Sequence, residues 1–92
     1  MKTRDEVKNA VITTIAGFTR LPTIQIEPEM ELNGPFLALD ANQLTFMAMT
    51  LRGYVKYYSS GKETVVVSEL RKSGLTVSKL INLIYKKVST NE

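Results

Sequence analysis

Residues 21–44 read LPTIQIEPEMELNGPFLALDANQL, and this stretch decides the fold. Pro22, Pro28 and Pro35 forbid a regular helix through its first half, because proline lacks the amide donor and restricts the residue before it. Ile24, Ile26, Met30, Leu32 and Phe36 still give the segment enough apolar side chains to be pinned to a core. The expectation is therefore a long, ordered loop, a kind of segment that often carries function. At its end Asp40 can cap a helix, with Gln43 three residues on completing a capping box.

Working outward, Val7, Val11, Ile15 and Phe18 recur at helical spacing, with Ile12 widening the stripe, so residues 5–18 form an amphipathic helix. Thr3 and Glu6 supply its capping box, and Gly17 and Pro22 bracket its exit. After Asp40, the residues Leu44, Met47, Leu51, Tyr54, Val55 and Tyr58 keep the same period. Gly53 interrupts good helix formers at a cost of about 1 kcal/mol relative to alanine, which anticipates close packing there. Leu44, Phe46, Met47 and Met49 cannot all face inward on one helix, so one or two must be exposed.

YYSSGKET is a loop around Gly61. Val65, Val66 and Val67 are β-branched but have no partner strand, and are read as an extended entry into a short helical turn ending at Gly74. A last helix, capped by Thr76, runs to about Val88 on the stripe Val77, Leu80, Ile81, Ile84, Tyr85 and Val88. Lys86 and Lys87 suit its C-terminal end. The fold class expected is all-α: a small three- to four-helix bundle with a long ordered loop between the first two helices. Residues 1–92 form one domain.

Composition narrows the chemistry. The 92 residues contain neither cysteine nor histidine, which removes disulfides, thiolate metal ligands and every histidine-based nucleophile arrangement. The acid–base candidates are scattered carboxylates such as Glu27, Glu29, Glu31 and Asp40, those in the loop read as solvated, so an enzyme is not expected. The net charge of +3 comes from twelve basic and nine acidic residues, which are scattered rather than gathered in a phosphate-tracking stripe. Nucleic acid is accordingly not an expected partner. No apolar run reaches a membrane span and MKTRDEVKNA is no signal peptide, so a cytoplasmic monomer without membrane contact is expected.

Three segments, LPTIQIEPEMEL, FLALDANQL and VSELRKSGLTVSKLINLI, together with the helix order, make the chain resemble the acyl carrier and peptidyl carrier protein family from about Glu6 to Val88. The resemblance implies a four-helix bundle that is not itself an enzyme. Such a domain presents an acyl or aminoacyl group on 4′-phosphopantetheine to synthase or transferase partners in fatty-acid, polyketide or nonribosomal peptide biosynthesis. The family attaches that arm to a serine in Leu-Gly-Leu-Asp-Ser or Phe-Phe-x-Leu-Gly-Gly-Asp-Ser, at the mouth of the second helix. Amides left unpaired there, and the helix dipole, favour a phosphodiester.

This sequence departs from the pattern at that serine. With Leu37-Ala38-Leu39-Asp40 set on Leu-Gly-Leu-Asp, the serine position is Ala41, beside the cap Asp40. With Phe36-Leu37-Ala38-Leu39 set on Phe-Phe-x-Leu, it is Gln43. The first register is preferred, and neither offers a hydroxyl, so the arm cannot be attached to the sequence as it stands. Thr45 is the nearest hydroxyl, inside the helix. An engineered Ser→Ala replacement and a natural serine-free carrier both remain open. A small helical interaction module outside the family is the alternative reading. In either case partners are expected on Leu44, Phe46, Met47, Arg52 and Lys56. Residues 41–58 contain no acid, unlike the family's second helix, so such partners should be acidic or apolar.

Overall fold

The computed structural model describes residues 3–59 and 61–89. Helix α1 spans Arg4–Thr19, α2 Ala41–Tyr58, α3 Val67–Leu70 and α4 Val77–Ser89, with one 3-10 turn at Thr23–Gln25. The described residues form an all-α bundle with the long loop between α1 and α2, as the sequence pattern predicts.

Capping accounts for where the helices begin. Thr3 and Glu6 exchange side-chain and backbone bonds at the head of α1, and Asp40 and Gln43 do so at the head of α2. The amide of Lys79 donates to the Thr76 hydroxyl at 3.2 Å, which caps α4. Gly17 does not end α1. The helix continues to Thr19 and stops at Arg20, which adopts the left-handed conformation with φ 61° and donates its amide to the Ala16 carbonyl.

The core is one cluster. Val7, Val11 and Ile15 of α1 meet Leu44, Met47, Ala48, Leu51 and Val55 of α2, and Val77, Leu80, Ile81, Ile84 and Val88 of α4. Leu70 of α3 and Val65 just before it close the side of the bundle. Burying each such side chain contributes roughly 1.5–3 kcal/mol, before conformational entropy is set against it.

The long loop is held in two ways. Ile26, Leu32, Leu37 and Leu39 insert into the core. Ile24 and Phe36, expected as anchors, instead stand 88% and 55% exposed; Leu37 and Leu39 take up the anchoring role. The loop also meets the head of α4. The Val77 amide donates to the Met30 carbonyl at 2.9 Å and the Ser78 amide to the Pro28 carbonyl at 2.9 Å. Two amides that a helix start leaves without intrahelical partners are thereby satisfied by the loop. The Leu32 amide donates to the Leu75 carbonyl, and Glu31 and Thr76 form an isolated antiparallel bridge. The expected solvated loop carries Glu27, Glu29 and Glu31 on its outside, all exposed.

Candidate functional site

The mouth of α2 gathers most of the residues that the sequence singles out. Approaching it, the chain turns tightly. The Gly34 amide donates to the Glu31 carbonyl at 3.1 Å, and the Ala38 amide donates to the Gly34 carbonyl at 2.8 Å. A Cβ at Gly34 would stand 3.1 Å from the Glu31 Cβ and 3.2 Å from its carbonyl oxygen, closer than ordinary contact. The second turn ends with Ala38 at φ 50°, in the left-handed region that costs an alanine about 1–2 kcal/mol and a glycine little. Leu39 then drops into the core and donates its amide to the Leu32 carbonyl at 3.0 Å, which sets Asp40 at the cap.

Asp40 accepts from the Gln43 amide at 2.8 Å, and the Gln43 Oε1 accepts from the Asp40 amide at 2.9 Å. The other end of the Gln43 side chain donates to the Phe18 carbonyl of α1 at 3.2 Å. Gln43 is therefore a structural tie, engaged at both atoms of its amide. Ala41 is the first residue of α2 and is exposed, as is Asn42 after it.

A cation stands beside this mouth. The Arg71 guanidinium, just past α3, donates from Nη2 to the Thr45 hydroxyl at 3.1 Å and, at 3.4 Å, to the Ala41 carbonyl. Thr45 in turn donates its hydroxyl to the Ala41 carbonyl at 2.8 Å. The Thr45 hydroxyl is thus engaged as both donor and acceptor. Arg71 had no signal in the sequence, because it lies thirty residues away from Ala41 and only the packing of α3 on α2 brings it there.

The residues expected to bind partners divide. Leu44 and Met47 are buried in the core, so they are not available to a partner; in each case the residue two further on takes the outward direction on the helix. Phe46 is 58% exposed and Met49 56% exposed. Lys56 is exposed, while Arg52 is half-buried, its Nε donating to the Val65 carbonyl at 3.0 Å. Tyr57 completes the outer face at 78% exposure and was missed as a surface residue. Gly53 has no neighbouring atom within 4 Å of where a Cβ would stand, so the internal packing expected there does not exist.

The residues present do not fit a covalently attached phosphopantetheine. Ala41 has no nucleophile, Gln43 offers an amide already committed to Asp40 and Phe18, and Thr45 is turned onto its own helix. Among the described residues no group of acidic side chains could hold a metal ion, and no helix is long and apolar enough to cross a membrane.

No family model, no curated protein and no solved structure matches this chain.

Proposed function

We propose that this chain is a carrier-protein-like domain of thiotemplate biosynthesis (fatty-acid, polyketide or nonribosomal peptide). In this reading its role is to dock on synthase or transferase partners, and it bears no phosphopantetheine because position 41 lacks the hydroxyl. The observation that carries the reading is Ala38. It holds the left-handed conformation at the position where the resembling Leu-Gly-Leu-Asp motif has glycine, and after the buried Leu39 come the cap Asp40 and an exposed Ala41.

The surrounding structure supports the same register. Gln43 is engaged in the tie to α1, whereas Ala41 faces solvent beside the unpaired amides of the helix start. Arg71, whose guanidinium bonds Thr45 one turn into α2, adds positive charge to a place that already favours an anion. The loop across the head of α4 is pinned by backbone bonds, which favours a carrier over an interaction module of another kind. The docking role is non-catalytic, and a cytoplasmic address and a monomeric state belong to the same proposal.

Intact mass after incubation with coenzyme A and a broad-specificity phosphopantetheinyl transferase tests it. The native chain stays unmodified and Ala41→Ser gains the mass of the arm. If neither Ala41→Ser nor Gln43→Ser is modified, the carrier reading falls and the interaction module replaces it.

A further inference from the structure

The outer face of α2 combines three features that no packing among the described residues explains. Phe46, Met49, Gly53 and Tyr57 fall within an arc of about 80° on a helix turning 100° per residue, so they form one exposed stripe. The stripe runs over most of an 18-residue helix, and three of its four members are large and apolar or aromatic. At its centre Gly53 sits in a helix interior, where glycine is unfavourable, and faces open space. A bare backbone between large side chains is a notch into which another helix can settle closely.

Charge then selects the occupant. No acidic residue lies anywhere in α2. Lys56, Arg52 and Thr45 share the edge of the helix on the Met49 side, and Thr45 brings Arg71 with it through their hydrogen bond. That edge thus carries three cations, while Gln43, Thr50 and Tyr54 on the opposite edge carry none. A second copy of the chain would bring two acid-free faces together, and no ion pair would form across them.

We infer that the Phe46–Met49–Gly53–Tyr57 face of α2 binds an amphipathic helix of a partner protein that crosses closest at Gly53 and carries acidic residues along the side meeting Arg71, Arg52 and Lys56. The inference deepens the docking role proposed above by naming the partner's chemistry, and it does not depend on what position 41 carries. Apolar contact supplies the affinity, and the one-sided charge sets which way the partner helix lies.

The test uses two synthetic helical peptides of roughly 18 residues, the length of α2. Both present a leucine and alanine stripe at helical spacing; one is flanked by glutamates and the other by lysines. Each is titrated into the nitrogen-labelled chain and followed by amide shifts. The glutamate peptide binds at least about tenfold more tightly than the lysine peptide, with shifts centred on residues 46–57. Gly53→Leu weakens it at least about tenfold while helicity is kept and the melting temperature does not fall, since leucine is the better helix former and meets no neighbour in the fold. Equal binding of the two peptides, shifts on another surface, or an unaffected Gly53→Leu variant overturns the inference. So does preferential binding of a single-stranded oligonucleotide or of phosphatidylglycerol vesicles, or self-association that buries this face. Modification of Ala41→Ser is read separately by mass, so failure of the docking inference and failure of the carrier reading are distinguishable.

Discussion

The Gln43 side chain joins two helices: its amide nitrogen donates to the Phe18 carbonyl at the end of α1, while its Oε1 accepts from the Asp40 amide at the start of α2. One residue thereby completes the cap of α2 and satisfies a terminal carbonyl of α1, a group that a helix leaves without an intrahelical partner. Gln43→Ala removes both bonds and should lower unfolding free energy by about 1–2 kcal/mol, measured by urea denaturation. Asn42→Ala, exposed and next to it, should change stability by no more than about 0.5 kcal/mol.

Ala38→Gly should stabilise the fold. Relief of the left-handed alanine is worth about 1–2 kcal/mol and the extra chain entropy of glycine offsets about half of it, leaving a gain of about 0.5–1 kcal/mol. The gain appears as a higher urea midpoint with an unchanged slope. A loss of stability would show that position 38 is not held left-handed in solution.

Adjacent residues of α2 should respond in opposite ways to truncation. Met47 is wholly buried, so Met47→Ala creates a cavity and costs about 2–5 kcal/mol. Phe46 is more than half exposed, so Phe46→Ala costs far less, about 1 kcal/mol or below, and its effect is read in partner binding. Thermal melts of the two variants side by side check this.

Gly53→Ala should raise stability by about 1 kcal/mol, because alanine is the better helix former and its methyl group enters open space. Circular dichroism melts give the direction directly. A decrease would mean that something does pack against Gly53 in the free chain.

Glu69 and Lys87 pair at 3.1 Å across α3 and α4, both partly accessible. Lys87→Ala should cost no more than about 1 kcal/mol, and the loss should shrink further as salt is raised. Melts at low and high ionic strength measure it.

Much of the architecture was legible from local pattern. Of the two stripes, Val7, Val11 and Ile15 and Val77, Leu80, Ile81, Ile84 and Val88 are buried while Phe18 and Tyr85 are half-buried, and the caps at Thr3, Asp40 and Thr76 are all formed. Such features depend on neighbours three or four residues away, so spacing alone reveals them. A short helical turn near the valine run was legible because an isolated strand has nothing with which to share its backbone bonds, but its bounds were not: it starts at Val67, inside the run read as extended, and ends at Leu70 rather than Gly74.

The loop and the face of α2 were less legible. Ile24 and Ile26 are two residues apart and chemically identical, yet only Ile26 is buried. Leu44 and Met47, placed by spacing on the apolar stripe yet also expected at a partner, turned inward, while Phe46 and Met49 turned outward.

The sequence by itself determined that this chain is helical, where its main helices start, and that positions 40–43 carry no hydroxyl, because these are properties of local spacing and of atoms present or absent. Only the tertiary structure decided that Arg71 stands beside Ala41, that Gln43 reaches Phe18, and that Gly53 faces open space. Those relations join residues far apart in the chain, or depend on how a whole helix is rotated against the core. Packing of the bundle as a unit sets both.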